Sequence, residues 1–536
     1  MLFNSYAFIF GFLPVALAGF YGLGRMRRAW AILWLIAVSI GFYAWWRPLN
    51  VLLIAPSILI NYALARVLQR YGDSRPGLSQ AALLGGIGFN VVFLGYFKYL
   101  TFLESTVNDV FSAHLVLTHV ILPLGISFIT FQKIAFLIDV QAGRIKEFTL
   151  RDYVLFVLFF PQLVAGPIVH YREMMPQFHA ASARFDAGDA AVGLSLFSFG
   201  LFKKVVFADT IALYVTPVYA AAASGHPPGL FDAWLAALGF TLQVYFDFSG
   251  YTDMALGLAR FFGVRLPMNF NSPLKARNII DFWLRWHITL TRFLTAYIYN
   301  PLSLALTRRR VARGRPVLGR QASLSAFLTL LLFPTVLTMF ISGLWHGAGY
   351  TFILWGLLHG VYLSVNHAWR LARQHLFPQL NAYARAARPL GWALTFVAVV
   401  VSMALFRAPS VAAAVTLWRG MAGGFGAAMP NAVLLHLGGL TAWLRAAGIT
   451  GSLASGSAFV RGWLWIAAAL ALALLAPNTL EILAPYAPAL GVKPRAGAAP
   501  WLSWRPSAGW AIALALVSAV GILSLGQLST FIYWQF

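Results

Sequence analysis

A histidine lies in a glycine-rich break within a long apolar stretch. His346 belongs to the string FISGLWHGAGYTFILWGLLHG, residues 340–360, with Trp345 beside it and His359 thirteen residues later. Neutral imidazole can take a proton from a hydroxyl at physiological pH, and an apolar enclosure lowers its pKa and keeps it neutral. The glycines allow backbone or substrate to approach closely. The pattern indicates a general base at His346. The alternative, for both histidines, is a structural role in which the imidazole lies between helices and donates a hydrogen bond to a backbone carbonyl.

A second candidate segment, DFWLRWHITLTRFLTAYIYNPLSL, covers residues 281–304. Its charged residues Asp281, Arg285 and Arg292 alternate with aromatic residues, a pattern that predicts an amphipathic helix lying at the membrane interface. His287 follows Asp281 by six residues, too far around a helix for a direct i,i+4 pair. The alternative is an interfacial belt of aromatic and arginine side chains without a chemical role.

A third candidate segment covers residues 245–278 and contains Asp247 and Asp253, followed by Asn269 and Asn271. Two carboxylates near the end of a span can bind a cation or relay protons. Alternatively, they pair with nearby arginines and cap broken helices. We predict no metal site, since the histidines occur as W-H-G, L-H-G and N-H-A without a ligand spacing such as H-E-x-x-H. Phosphate-binding and dinucleotide-binding glycine motifs are also absent from the sequence.

The overall composition indicates in what class of protein these residues are positioned. The chain has 536 residues, of which 60% are hydrophobic and 10% charged, and its mean hydropathy is +0.75. A soluble domain carries about 25% charged residues, so the composition predicts a polytopic membrane protein. The formal net charge of +24 is explained by basic cytoplasmic loops, and no nucleic-acid partner is expected. Because cysteine is absent, disulfides and thiolate chemistry are excluded.

A spanning helix needs about 20 mostly apolar residues. The predicted spans are 6–23, 29–46, 49–68, 79–100, 118–139, 191–219, 229–258, 388–406, 459–482 and 507–528. Two further apolar stretches are broken, 153–170 by two prolines and a glycine, and 323–366 at 342–349. Irregular backbone at membrane depth survives only where it is buried in protein or lines a cavity. These two breaks are therefore the expected location of the site.

Basic residues predict the orientation. Arg25, Arg27 and Arg28 follow the first span, which places that loop in the cytoplasm and the N-terminus outside. Counting spans forward places the arginine-rich stretch 265–320 inside and the terminal FIYWQF outside. We predict one membrane-embedded domain over 1–536, with core motifs at about 120–370. The stretch 410–458 is predicted to be an external loop with short surface helices.

Several strings occur together and in one order. They are LFNSYAFIFGFLP near the start, LPLGISFITFQKIAFLIDV (122–140), FPQLVAGPIVHYREMMPQF (160–178), YFDFSGYTDMALGLARFFGVRLPMNFNSP (245–273), DFWLRWHITLTRFL (281–294), SGLWHGAGYTFILWGLLHG (342–360), LFRA (405–408), APNTLEIL (476–483) and the terminal FIYWQF. On these strings the chain resembles the membrane-bound O-acyltransferase (MBOAT) family, and most closely its bacterial branch of alginate O-acetylation membrane proteins. The resemblance runs nearly end to end.

The resemblance implies an all-α fold, with a ring of about 10–12 transmembrane helices plus re-entrant and interfacial helices around a central tunnel. It implies that His346 is the catalytic base and that His287 is a second histidine that positions donor or acceptor. The resemblance implies no clear role for His359. We assign substrate binding to the residues around these histidines: Trp345, Asp281, Arg285, Trp286, Asn269 and Asn271.

The implied function is an O-acyltransferase of the bacterial inner membrane. It would move an acetyl group from cytoplasmic acetyl-CoA, its substrate and not a bound cofactor, toward an extracellular polysaccharide such as alginate. A periplasmic or membrane-anchored acetyltransferase partner would complete the transfer. The alternatives are acylation of teichoic acid, peptidoglycan or lipid, and a transporter or export component without chemistry. A proton-coupled transporter would show an internal repeat and a midplane carboxylate relay, and the sequence shows no such repeat.

Overall fold

The computed structural model describes the whole chain except residues 119, 165, 181–182, 319–322, 377–384, 493–501, 527–531 and 533–536. The basic residues Arg320, Lys493 and Arg495 lie outside the described residues, and so does all of the terminal FIYWQF string except Ile532. Contacts between Cα atoms divide the chain into two units. The first comprises Met1–Phe202, Ser249–Asn269 and Thr479–Leu528, and the second comprises Lys203–Phe248, Phe270–Asn478 and Ser529–Phe536.

Almost all regular structure is helical. In chain order the α-helices are α1 Leu13–Met26, α2 Arg28–Ala44, α3 Leu49–Tyr71, α4 Pro76–Leu94, α5 Leu100–Phe111, α6 Ile126–Gln141, α7 Leu150–Leu158, α8 Phe160–Leu163, α9 Tyr171–Ala180, α10 Ala187–Phe202, α11 Asp209–Ala223, α12 Leu230–Phe261, α13 Ile279–Trp283, α14 Ile288–Leu294, α15 Asn300–Val311, α16 Leu324–Phe327, α17 Phe333–His346, α18 Tyr350–Leu376, α19 Arg388–Arg407, α20 Val411–Met421, α21 Asn431–His436, α22 Leu440–Ala446, α23 Gly456–Leu475, α24 Thr479–Ile482 and α25 Ala508–Leu523. The strands β1 Ala427–Pro430 and β2 Ile449–Ser452 pair in parallel.

Short π-helical turns join several of these helices into longer rods. They are Ala7–Phe12, Gly95–Tyr99, Lys203–Ala208, Thr295–Tyr299 and Leu328–Leu332. Short 3-10 turns lie at Pro273–Lys275, Ala484–Tyr486 and Ser524–Gly526. A π turn inserts one extra residue into a helix and shifts the face that each following residue presents.

Eight helices in the described part of the chain are long and apolar enough to cross a membrane. They are Ala7–Met26, Leu49–Tyr71, Pro76–Phe111, Ala187–Ala223, Leu324–His346, Arg388–Arg407, Gly456–Leu475 and Ala508–Gly526. The prediction of an all-α polytopic membrane protein is confirmed. Three other predicted spans are helices of different length, because α2 has 17 residues, α6 has 16 and α12 has 32.

The first unit has an aromatic core. Phe8, Phe42 and Phe160 lie with ring centroids 5.6–6.2 Å apart. Phe160 comes from the predicted break at 153–170, where α7 ends at Leu158 and α8 begins at Phe160. Phe159 between them has φ −49° and ψ 108°, which is not helical. The broken stretch is thus present, and its described residues are buried in protein except for the half-buried Val154, as irregular backbone at membrane depth requires.

Three sequence-based boundaries are wrong. The predicted span 118–139 becomes helical only at Ile126, because Gly125 before it has φ +67° and follows Pro123 by two residues. The interruption predicted at 342–349 is shorter, since α17 continues through His346 and only Gly347–Gly349 break the helix. The segment 281–304 is not one amphipathic helix, because His287 adopts φ 43° and ψ 52° between α13 and α14.

The second unit is organised around a hairpin of α17 and α18. Its helices touch through glycines, because a Cβ on Gly343 would lie 3.0 Å from Gly356 Cα, and a Cβ on Gly356 would lie 2.3 Å from the Met339 carbonyl oxygen. Small residues let two backbones approach closely where lipid supplies no hydrophobic drive for association. Helix α18 in turn packs on α13 and α19.

We expect Gly356→Ala to destabilise the protein by about 1–3 kcal/mol, because the added methyl group overpacks a backbone contact. The matched control is Gly41→Ala in α2, where nothing lies within 4 Å of the added Cβ. The measurement is the midpoint of thermal unfolding in detergent, followed by size-exclusion chromatography. Equal midpoints for the two variants would contradict the proposed close contact.

Candidate functional site

His346 ends α17 at the turn into α18. The next residue, Gly347, is extended with φ −163° and ψ 155°, and α18 begins at Tyr350. A Cβ on Gly347 would collide with the Phe352 ring at 2.2 Å, so this position requires glycine. The imidazole is only 3% exposed. The sequence therefore places a histidine at the one non-helical turn of the hairpin, where the packing around it is fixed by glycine.

Aromatic rings surround His346. Its ring centroid lies 4.9 Å from that of Trp345, 5.2 Å from that of Trp355 and 5.3 Å from that of Phe406. The rings of Trp355 and Phe406 are nearly perpendicular to the imidazole, which turns their edges or faces toward it. Trp355 and Phe406 were not among the predicted site residues, although Phe406 belongs to the LFRA string.

His287 lies beside His346. The two ring centroids are 6.3 Å apart, and the His287 ring is also 5.8 Å from Trp345 and 4.8 Å from Phe248. His287 is fully buried and lies outside the eight candidate spans. Burial lowers the pKa of His287 to about 3, so its imidazole is neutral at pH 7. The structure thus brings the two predicted catalytic histidines together in one apolar surround.

A hydrogen-bond network fixes the loop that leads into His287. Asp281 accepts hydrogen bonds from the Arg285 side chain at 2.7 Å and from the Arg277 backbone at 3.0 Å. Arg285 in turn donates to the Asn271 carbonyl, and the Asn271 backbone donates to the Arg285 carbonyl. Asp281 therefore pairs with Arg285 rather than with His287. Three of the predicted substrate-binding residues, Asp281, Arg285 and Asn271, share this network.

Asn478 extends the network and was missed by sequence reasoning. Its amide donates to the Asn271 side chain at 3.3 Å and to the Ser272 hydroxyl at 2.9 Å, across more than 200 residues of chain. Only its occurrence in the APNTLEIL string marked it. Trp286 packs as core, stacked on Phe282 at 5.6 Å. Asn269, the remaining predicted substrate-binding residue, is fully buried in the first unit.

His359 has both ring nitrogens occupied. Trp283 Nε1 donates to Nδ1 at 3.3 Å, and Nε2 lies 2.9 Å from Ser402 Oγ. The Ser402 hydroxyl donates its own hydrogen to the Val399 carbonyl, so Nε2 must carry the ring proton and donate to Ser402. This arrangement assigns one neutral tautomer to His359. The ring joins α13, α18 and α19, and it lies 4.7 Å from Trp355, which contacts His346.

Asp247 belongs to a buried charge cluster. Lys204 Nζ lies 2.6 Å from Asp247 Oδ1 and 2.7 Å from Asp209 Oδ1, and all three side chains are buried. Asp247 Oδ2 accepts the backbone N–H of Ile532 at 3.2 Å. Asp247 is thus paired, but with a lysine in a π turn and not with an arginine. Asp253, the other predicted carboxylate, is buried in the first unit.

Lys204 could have been found from the sequence. It lies in the apolar run FGLFKKVVFADT, inside a predicted span, and an ionisable residue at such a position is a functional candidate by default. One partner, Asp209, lies in the same run, but the other, Asp247, lies 43 residues away on α12 and could not have been found from the sequence.

The arginine-rich loop contains one structural arginine. Arg310 is buried and donates to the Pro316 carbonyl at 3.0 Å and to the Ser325 hydroxyl at 3.1 Å. The neighbouring arginines of the loop are exposed: Arg308, Arg309, Arg313 and Arg315. The hydrogen bonds of Arg310 therefore connect it to Pro316 and Ser325, whereas the charges of the neighbouring arginines lie at the surface.

Trp283 also lines a cavity of about 250 Å³ within the second unit. The cavity is mostly apolar, with hydroxyl groups from Thr291, Thr335 and Thr338 on its wall and His367 among its lining residues. Such a lining suits an apolar chain with a few polar atoms.

Comparisons with known proteins show which family the chain belongs to. Residues 141–314 match the family model of MBOAT, the membrane-bound O-acyltransferase family. The chain is 39% identical over 451 residues to a peptidoglycan O-acetyltransferase of Helicobacter pylori, covering 79% of this chain and 80% of that protein. It is 37% identical over 426 residues to a probable alginate O-acetylase AlgI of Pseudomonas aeruginosa, covering 78% and 75%. A teichoic acid D-alanyltransferase of Streptococcus thermophilus is 29% identical over 253 residues, covering 46% and 57%.

The helical fold with its apolar helices defines a polytopic membrane protein, and two histidines lie side by side in its interior. On the identity and coverage of these relatives, the chain belongs to the membrane-bound O-acyltransferase family. It is an O-acyltransferase, and the resemblance inferred from the sequence strings is confirmed.

Lys204→Met is expected to destabilise the protein by about 3–5 kcal/mol, because it leaves Asp247 and Asp209 buried without their cation. The double variant Lys204→Met/Asp247→Asn should recover part of that loss, since one buried carboxylate is then neutral. Lys146→Met, at an exposed lysine, serves as the control. Thermal unfolding midpoints measure all three, and a double variant no more stable than the single one would refute charge pairing as the cause.

His359→Phe keeps a ring of similar size and removes both hydrogen bonds. We expect a loss of about 1–3 kcal/mol for the buried partner left unsatisfied, while the folded fraction keeps acyl transfer within several-fold of the wild type. Unfolding midpoints and turnover per folded molecule test this expectation. Full stability combined with abolished turnover would instead give His359 a direct chemical role.

Proposed function

We propose that this protein takes an acetyl group from cytoplasmic acetyl-CoA and passes it across the bacterial inner membrane for O-acetylation of an extracellular polysaccharide such as alginate. A periplasmic or membrane-anchored acetyltransferase partner completes the transfer to the polymer, and both chain termini face the periplasm. The observation that carries the proposal is the buried pair of His346 and His287, 6.3 Å apart between ring centroids in an aromatic surround.

The chemistry assigned to His346 is general-base catalysis. The imidazole accepts the proton of an acceptor hydroxyl as that oxygen attacks the thioester carbonyl carbon. The new C–O bond forms, the C–S bond breaks, and the imidazolium returns its proton to the departing thiolate, which leaves as the thiol of coenzyme A. His287, neutral because it is buried, positions the donor or the acceptor through hydrogen bonding.

The aromatic surround supports transfer rather than hydrolysis. Trp345, Trp355 and Phe406 leave His346 only 3% exposed, and exclusion of water protects a thioester from attack by water. We assign the cavity beside Trp283 to the apolar part of the donor arm.

Charge supports a cytoplasmic anionic donor. Coenzyme A carries several phosphate charges, and an exposed basic surface raises the local concentration of such a substrate. The exposed arginines of the 308–315 loop supply that charge on the face predicted to be cytoplasmic.

Peptidoglycan is the second candidate acceptor. The relative from Helicobacter pylori is named a peptidoglycan O-acetyltransferase and is 39% identical, against 37% for the alginate O-acetylase of Pseudomonas aeruginosa. A D-alanyl transfer to teichoic acid is less favoured, because that relative matches only 46% of this chain.

Acyl transfer should depend on His346. In proteoliposomes with radiolabelled acetyl-CoA, both alone and with the periplasmic acetyltransferase partner, His346→Ala is expected to lower thiol release by about 10²–10⁴-fold. His287→Ala should lower it less, since that residue positions a substrate. His436→Ala, at an exposed histidine on α21, should leave it unchanged.

Unfolding midpoints of each variant confirm that the protein remains folded. Turnover of His346→Ala at the wild-type rate would refute the assignment of the base. The acceptor is tested by comparing acetyl groups on muropeptides and on secreted polysaccharide between cells with and without the gene. A gene-dependent acetyl content of muropeptides, and not of secreted polysaccharide, would identify peptidoglycan as the acceptor.

A further inference from the structure

The segment between α20 and α23, residues 422–455, forms a small module outside the membrane-crossing helices. It contains the strand pair β1 and β2 and the short helices α21 and α22. At six and seven residues, these helices are far too short to span a bilayer. The module contains no Asp or Glu, and Arg445 is its single Lys or Arg.

The surface of this module is unusually apolar for a segment between spans. Leu453 is 99% exposed, Leu435 80% and Trp443 66%, and Leu440 is also exposed. Leu440 and Trp443 are three residues apart on α22 and therefore share a face. By contrast, Leu434 on α21 is buried, and α21 packs on β1, β2 and α23.

The module is tethered close to the bilayer at both ends. α23, one of the candidate spans, begins at Gly456, three residues after Leu453, which limits their separation to about 10 Å. On the other side, α20 packs on α11 and α19, which both belong to candidate spans. The exposed leucines and tryptophan are thus held within reach of the membrane surface.

We propose that α21 and α22 lie in the headgroup layer of the bilayer, with Leu435, Trp443 and Leu453 inserted toward the acyl chains and Arg445 at the lipid phosphates. Tryptophan is enriched at membrane interfaces, and short apolar helices with a basic residue and no acidic one favour an anionic lipid surface. We assign this apolar surface to lipid rather than to a protein partner, because the apolar side chains are continuous with the start of a spanning helix.

The chain has no cysteine, so single cysteines can carry a nitroxide label without removing any native residue. Leu435→Cys, Trp443→Cys and Leu453→Cys report on the module in vesicles of phosphatidylethanolamine and phosphatidylglycerol. Leu516→Cys, 63% exposed in the middle of α25, gives the hydrocarbon reference, and Ala312→Cys, exposed in the turn after α15, gives the aqueous reference. The measurement compares collision of each label with oxygen and with a water-soluble nickel chelate.

At a low protein-to-lipid ratio, we expect the three labels to be several-fold less accessible to nickel than Ala312→Cys and more accessible than Leu516→Cys. Arg445→Glu should raise nickel accessibility in these anionic vesicles and not in vesicles of phosphatidylcholine. Accessibility equal to that of Ala312→Cys would overturn the proposal. Protection that appears only at a high protein-to-lipid ratio, or only after a periplasmic protein is added, would also overturn it and assign the surface to a second copy or to a protein partner.

Discussion

The constraint on which the site depends is that backbone at membrane depth must have its hydrogen bonds satisfied within the protein. A helix meets this requirement everywhere except at its ends, so a turn between two helices needs protein on every side. The hairpin of α17 and α18 provides it through the contact of Gly343 with Gly356, which brings two backbones together directly below the turn. His346 lies at that turn, where its ring is buried among aromatic side chains.

In the second unit, several charged side chains pair with one another, and the buried histidines lie apart from them. Lys204 is held between Asp209 and Asp247, and Asp281 between Arg277 and Arg285, so each buried or half-buried carboxylate has a cationic or N–H partner. His287, His346 and His359 lie instead among aromatic rings, and burial lowers the pKa of His287 so that its imidazole is in the neutral form. A base that must accept a proton from a hydroxyl needs this neutral form, and a nearby uncompensated carboxylate would raise its pKa and protonate it.

The sequence carries the parts of this structure that depend on length and polarity, such as most of the membrane-crossing helices and the presence of breaks within 153–170 and 323–366. Prediction from the sequence fails where the decisive contact joins residues that are distant along the chain. The tautomer of His359 depends on Trp283, 76 residues before it, and on Ser402, 43 residues after it. The single helix expected over 281–304 is divided because His287 adopts a left-handed conformation, which periodicity does not reveal. Lys204 was visible in its apolar run, but its pairing with Asp247 was not.

The site also indicates where acceptor choice is made. The residues around His346 are almost all aromatic or aliphatic, and the polar network of Asp281, Arg285 and Asn271 is occupied by its own hydrogen bonds. Selection among polysaccharides requires several hydrogen-bond groups directed at sugar hydroxyls, because an apolar wall discriminates weakly between similar substrates. Relatives named for peptidoglycan and for alginate are nearly equal in identity to this chain, as expected if the membrane site handles the acyl group alone. Under the proposed function, acceptor specificity resides in the partner that meets the polymer, and the membrane component serves different polymers with little change around its histidines.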